Sequence, residues 1–327
     1  MNEKDLKILE QYELQVKNIY RGRGAYLCET EKGLFLLKEY QSSVQKAEFI
    51  QKICIMIKEN TGKGTDYFLK NKEGALLTMS KEEVSYVLKA WTTGKECGVN
   101  SMEEIEKAVQ NLGELHKAIS SLKVPEIMNA SELNEIYFKH IKELKKIRTF
   151  IRDKKKKTSF ELFFLEHYDD FVREAEESMK YLQNGASKKI LHNAIENGSM
   201  CHGDYNQHNV FIEPDGVFTA NFDQCFCGSQ MEDLYHFMRK ILEKHNWNLE
   251  LAKRMLHAYD LEKALLKDEL KDLYVRFYFP EKFWKVANHY YNSRKSWISE
   301  RSTEKLETLV AQKEEKNKFL YYLSQNS

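Results

Sequence analysis

The character of this chain changes after about residue 92, from strand-like segments set between glycine turns, with one helix among them, to apolar residues recurring about every 3.6 positions. That switch restricts the possible folds more than any other feature. Apolar runs at residues 16–20 and 25–29 flank Arg21-Gly22-Arg23-Gly24, and Gly33 precedes Leu34-Phe35-Leu36-Leu37. The pattern predicts strand, glycine turn, strand, turn, strand. Ser42 and Ser43 can cap a helix in which Val44, Ala47, Ile50, Cys54 and Ile57 recur at helical spacing. Further strands are expected at residues 67–69, 75–79 and 84–88, with a turn at 71–74. Beyond Thr92-Thr93-Gly94, Ser101 and Glu104 form a capping-box pattern ahead of an amphipathic helix carrying Ile105, Ala108, Val109, Leu112 and Leu115. Helical periodicity then holds from about Glu132 to the last residue, broken by one stretch at 199–226.

Such a chain is α+β, with a small sheet and one helix first and a large helical part after it. Composition agrees. At 327 residues two lobes are the natural expectation, and 42% hydrophobic with 12% aromatic content is globular. Three prolines and fourteen glycines suit many helices and short loops. Fifty-one basic and fifty acidic side chains nearly cancel, so no global attraction to nucleic acid or anionic membrane arises. The run Lys154 to Lys157 has no interleaved aromatics and reads as a solvated loop between helices. The aromatic-rich stretch from Phe277 to Trp297 has helical spacing and reads as core. No stretch approaches the roughly 20 apolar residues of a membrane span. The charged opening residues lack a signal-peptide pattern, which predicts cytoplasmic synthesis without one. The six cysteines, Cys225 and Cys227 included, match neither a disulfide framework nor a four-ligand zinc site and read as reduced thiols.

The interruption at 199–226 carries the chemistry. Apolar runs at 210–212 and 217–220 are joined by the turn Glu213-Pro214-Asp215-Gly216; His202-Gly203-Asp204 and Asn209 precede the first, and the second leads into Asn221-Phe222-Asp223. Asp204, Asn209, Asn221 and Asp223 therefore share one end of a hairpin. Phosphoryl transfer needs that convergence: one carboxylate to position a hydroxyl and accept its proton, and oxygen ligands for a magnesium ion that neutralises the triphosphate. His-Gly-Asp alone is a weak signal; with the asparagine five residues on, the hairpin and the second acidic cluster it is strong.

This pattern resembles the aminoglycoside phosphotransferase and choline kinase superfamily, and within it the CotS-type spore-coat family of endospore-forming bacteria. The likeness covers most of the chain. It includes Tyr86-Val87-Leu88-Lys89-Ala90-Trp91 with Gly94-Lys95-Glu96-Cys97, Cys201-His202-Gly203-Asp204-Tyr205 and Asp233-Leu234. Phe279-Pro280-Glu281-Lys282-Phe283-Trp284 and Tyr290-Tyr291-Asn292-Ser293 are the most family-specific pieces. The resemblance implies a bilobal protein kinase-like fold: an N-lobe over 1–90, a hinge at 91–98, and a C-lobe over 99–327 containing the hairpin.

By the same resemblance Asp204 stands at the catalytic-base position, and Asn209, Asn221 and Asp223 at metal positions. Lys38 corresponds to the lysine that grips nucleotide phosphates, with Glu48 its carboxylate partner. Gly22 and Gly24 lie where a phosphate-covering turn belongs, although a plain hairpin turn fits equally. The backbone from Lys89 through Ala90 to Trp91 lies at the hinge that meets adenine, while His202 and Asp233 support the loop. An acceptor cleft is implied among helices at about 132–189. One departure stands out: the superfamily commonly has Asp where this chain has Asn221, and an amide brings no charge to magnesium. Two functions follow. One is ATP- and magnesium-dependent transfer to a hydroxyl of a small molecule or envelope sugar. The other is a catalytically degraded, binding or structural component of the spore coat with coat proteins as partners. A nucleic-acid role is disfavoured.

Overall fold

The computed structural model describes residues 3–22, 24–125, 128–292 and 299–327. Arg23 in the glycine turn, and Ser293 and Trp297 in the aromatic stretch, lie outside the described residues. Contacts divide the chain into two compact units, Met1–Ser120 with His202–Cys225, and Ser121–Cys201 with Phe226–Ser327. The hairpin expected in the C-lobe thus groups with the sheet, because its far end is bonded to residues 64–66, Lys38 and Lys89.

In the first unit β1 (Val16–Arg21), β2 (Ala25–Thr30), β3 (Gly33–Glu39), β4 (Thr78–Met79) and β5 (Ser85–Ala90) form one antiparallel sheet in the order β1-β2-β3-β5-β4. Alternation sorts the side chains: Tyr26, Cys28, Phe35, Leu37, Tyr86 and Leu88 share one face and bury against Ile8, Leu9 and Tyr12 of a 3-10 helix at Glu3–Gln11. Lys38 and Lys89, one residue out of phase, therefore project from the opposite face. The helix α1 (Val44–Thr61) is capped by Ser43, whose side chain accepts from the Lys46 N–H, and ends at Gly62 in the left-handed region at φ 71°. It buries Ala47, Ile50, Ile53, Cys54 and Ile57.

Two expected strands shrink. Residues 67–69 contribute a single bridge, Phe68 to Lys89, and 75–79 only the two residues of β4. The cause is Asn71, whose Oδ1 accepts from the N–H groups of Glu73 and Ala75 and whose Nδ2 donates to Thr78 Oγ1. A side chain that satisfies its neighbours' backbone competes with the sheet ladder. In α2 (Met102–Ala118) Ser101 caps Glu104 N–H, but the Glu104 carboxylate turns to Gly98 N–H at 2.6 Å, so the expected box is half formed.

The hairpin strands are β8 (Val210–Glu213) and β9 (Gly216–Thr219), joined by β6 (Lys95–Glu96) from the hinge segment into a three-stranded sheet. Periodicity does not reveal a two-residue strand such as β6. In the second unit β7 (Met200–Cys201) pairs with β10 (Phe226–Cys227). The remainder is helical: α3 (Leu133–Asp153), α4 (Ser159–Leu182), α5 (Ala186–Glu196), α6 (Met231–Lys244), α7 (Leu249–Glu262), α8 (Lys267–Tyr278), α9 (Glu281–Asn292), α10 (Ser299–Ala311) and α11 (Lys313–Asn326). Phe283 is fully buried, stacked on Phe164 and Phe171 at 5.0 and 4.3 Å between ring centres, so this part of the aromatic stretch is core. The six cysteines are free and buried, and among the described residues no helix is long and apolar enough to cross a membrane.

Candidate active site

The loop before β8 is shaped by three of its own residues. Gly203 has φ +82°, and a Cβ there would lie 2.0 Å from the Gln224 carbonyl oxygen, so only glycine fits. His202 is buried; its Nδ1 accepts from the Asp204 N–H at 3.2 Å, so Nε2 carries the proton and donates to the Ala220 carbonyl at 2.9 Å. This bond ties the loop to the end of β9. Asp204 itself is exposed, with a carboxylate that accepts from Asn206 Nδ2 at 2.9 Å and Asn209 Nδ2 at 3.1 Å.

From Asp204 a chain of amides runs inward. Asn209 also donates to the Asp204 carbonyl at 2.8 Å, and its own Oδ1 accepts from Asn221 Nδ2 at 2.7 Å. Asn221 has φ +66°, a conformation asparagine tolerates better than most residues. Two residues on, Asp223 bridges two lysines: its Oδ2 accepts from Lys38 Nζ at 2.5 Å and its Oδ1 from Lys89 Nζ at 3.0 Å. Thus β3, β5 and the far end of the hairpin meet at one carboxylate.

Lys89 is fully buried and also donates to Asp66 Oδ2 at 2.9 Å, with its ammonium 4.6 Å from the Phe68 ring centre. Asp66 is equally buried, its Oδ2 also accepts the Asn221 backbone N–H at 2.9 Å, and its Oδ1 has no hydrogen-bond partner. Burial works against the charged form of Lys89, yet Asp66 and Asp223 outweigh it and raise its pKa. Burial would likewise raise the Asp223 carboxyl, but the charges and hydrogen bonds of Lys89 and Lys38 hold it at about 2.

The other residues singled out from the sequence lie as follows. Glu48 is exposed on α1, and the carboxylate bonded to Lys38 is that of Asp223. Gly22 and Gly24 belong to the turn between β1 and β2, closed by Gly22 N–H to the Ala25 carbonyl at 2.9 Å, with Gly24 at φ +68°. The N–H groups of Ala90 and Trp91 bond within the fold, to the carbonyls of Tyr67 and Leu34, both at 2.9 Å. Neither can be offered to a purine. The Trp91 ring instead packs edge-on against Phe211 and Phe218. Asp233 is buried in the first turn of α6, in the helical unit. That unit contains a cavity of about 370 Å³ whose lining includes Glu132, Lys188, Ser229, Glu232 and Arg276, drawn partly from the region expected to form an acceptor cleft.

Asp66, and the side chain of Lys89, escaped the sequence reading as site residues. A signal existed: a lone lysine inside the apolar strand Tyr86-Val87-Leu88-Lys89-Ala90-Trp91 requires a buried anion. Which of the fifty acids supplies it is a matter of tertiary structure.

A lysine-bearing antiparallel sheet joined to a His-Gly-Asp loop and hairpin, with a helical remainder, is the architecture of kinase-like phosphotransferases. The solved structures most usefully compared with it agree. An aminoglycoside phosphotransferase from Alicyclobacillus acidocaldarius superposes with a TM-score of 0.88 at 18% identity, covering 98% of this chain and 95% of the other. Spectinomycin phosphotransferase APH(9)-Ia, solved with ADP and spectinomycin, gives 0.65 at 13% identity with 94% of each chain covered. Amicoumacin kinase hAmiN, solved with AMP-PNP and Ca2+, gives 0.59 at 15% identity, covering 97% and 94%. At these identities the likeness shows the fold. Residues 5–323 match the family described as "Spore coat putative kinase YutH", and the chain belongs to that family. It is also 24% identical over 314 residues to Spore coat protein S of Bacillus subtilis (strain 168), covering 93% of this chain and 88% of that protein.

Proposed function

We propose that this protein is a spore-coat component whose kinase-type site binds a nucleoside phosphate, gripped by Lys38, with Asp204 facing the acceptor side as a base for a hydroxyl group. The observation that supports this most directly is the contact of Lys38 with Asp223. It joins the phosphate-gripping strand to the same hairpin end that carries Asp204, Asn209 and Asn221. Lys38 is about one-fifth exposed, so its ammonium can be shared with an incoming phosphate. Asp204 is open to solvent and its carboxylate is oriented by two amides, the arrangement a proton-accepting group needs. We assign His202 and Asp233 to support of the loop rather than to the reaction.

A second reading, a coat scaffold that has kept nucleotide binding and lost turnover, is favoured by Asn221. Its amide supplies no negative charge where the superfamily commonly places an acid, and its partner's oxygen is already occupied by its own N–H. Spore localisation and coat partners are inferred from the family.

Thermal unfolding with and without ATP tests both readings. Nucleotide at 100 times its dissociation constant stabilises the fold by about 2.7 kcal/mol. Lys38→Ala should abolish most of that shift. Phosphate release or transfer that disappears in Asp204→Ala supports the enzyme; binding with no turnover above that variant supports the scaffold. No stabilisation at millimolar ATP, with or without magnesium, refutes the nucleotide site itself.

A further inference from the structure

We propose that the Lys89 ammonium takes the place of a divalent cation in this site, so that nucleotide binds without one. The inference rests on the nucleotide-binding reading above and concerns how that site neutralises phosphate charge.

The donor set at the metal positions does not fit magnesium. A hard dication needs several free oxygen ligands, usually with carboxylates among them. The two amides are bonded to each other: Asn221 Nδ2 donates to Asn209 Oδ1, and Asn209 Nδ2 donates to the carbonyl and carboxylate of Asp204. The nearby acid, Asp223, has one lysine on each oxygen. A metal approaching it must displace an ammonium and then stand a few ångströms from two positive charges, a repulsive arrangement at any interior dielectric.

Lys89 is the more firmly held of the two. Its ammonium is buried between Asp66 and Asp223 and over the face of Phe68, and the Asp66 oxygen that it meets also accepts the Asn221 backbone N–H. It is therefore a resident cation, fixed where the hairpin end meets the sheet. The four charges of Lys38, Lys89, Asp66 and Asp223 sum to zero. The cluster itself demands no further cation, and when a phosphate draws the Lys38 ammonium away from Asp223, Lys89 still neutralises that carboxylate, as a metal ion would.

Calorimetric titration of the full chain with AMP-PNP, in EDTA and then in excess magnesium, separates the cases because this analogue reports binding without turnover. The expected result is a dissociation constant equal within about threefold in the two media. The variant Lys89→Met/Asp66→Asn/Asn221→Asp removes the internal cation with its partner and restores the acid. Its folding is checked by circular dichroism, and it should bind at least about tenfold more tightly in magnesium than in EDTA. Binding by the parent only when magnesium is present overturns the inference and leaves the nucleotide site standing. A folded triple variant still indifferent to magnesium overturns it as well. Absence of heat and of competition with a fluorescent ATP analogue in both media refutes the underlying nucleotide reading instead.

Discussion

Replacing Lys89 by methionine should be among the most damaging single changes in the sheet-bearing unit. The variant leaves Asp66, which is wholly buried, with a carboxylate facing only the Asn221 N–H on one oxygen and nothing on the other. At 2.9 Å the Lys89–Asp66 attraction is about 6 kcal/mol at an effective dielectric of 20, and desolvating two ions cancels much of it. Breaking such a pair from one side nevertheless costs about 3–5 kcal/mol, because the remaining charge is stranded. Asp66→Asn should cost less, about 1–3 kcal/mol, since Lys89 keeps Asp223 as an acceptor. In Lys89→Met/Asp66→Asn no buried charge is orphaned, and the double variant should be more stable than Lys89→Met alone. The cycle should then give a coupling of at least about 2 kcal/mol. Urea unfolding followed by circular dichroism supplies the free energies, with hydrogen exchange at β5 amides to confine the reading to this unit. Losses that add within about 0.5 kcal/mol would refute the argument that the pair acts as one element.

Two further outcomes follow from the same site. Asp223 has a folded pKa of about 2 against 3.8 for the free side chain, so below that ordinary value the unfolded chain binds the extra proton. Its contribution, about 2 kcal/mol, is complete above pH 4 and is lost as pH falls towards 2. Denaturation midpoints measured across that window should fall more steeply for the parent than for Asp223→Asn, and parallel curves would contradict it. Gly203→Ala forces a side chain against the Gln224 carbonyl at a left-handed backbone position; it should cost about 2–4 kcal/mol and abolish the thermal response to ATP, whereas an unchanged response would mean that the loop geometry is wrong.

Much of this molecule is local in origin. Short strand-like runs around glycine turns specify β1 to β3, with burial alternating along β2 and β3; the Ser43 cap and the Ala47, Ile50, Cys54 and Ile57 stripe specify α1; a Pro-Asp-Gly turn between apolar runs specifies the hairpin. The hairpin alone requires Asp204, Asn209, Asn221 and Asp223 to share one end, and the hydrogen bonds among the first three follow. Where side chains compete with backbone, as at Asn71, pattern overstates the strands.

What no local pattern contains is the partner of a buried charge. Glu48 has the helical position of a lysine partner but is exposed, whereas Asp223, 185 residues beyond Lys38, takes that place. Asp66 and Lys89 satisfy each other only because a segment after α1 and the middle of β5 are folded against the hairpin. Sequence by itself determined the elements, the loop and the residue types that phosphate chemistry uses, since each depends on neighbours a few positions away. Tertiary structure alone decided which carboxylate neutralises which ammonium, because desolvation makes a buried ion's energy depend on whatever lies within a few ångströms, however distant in the chain.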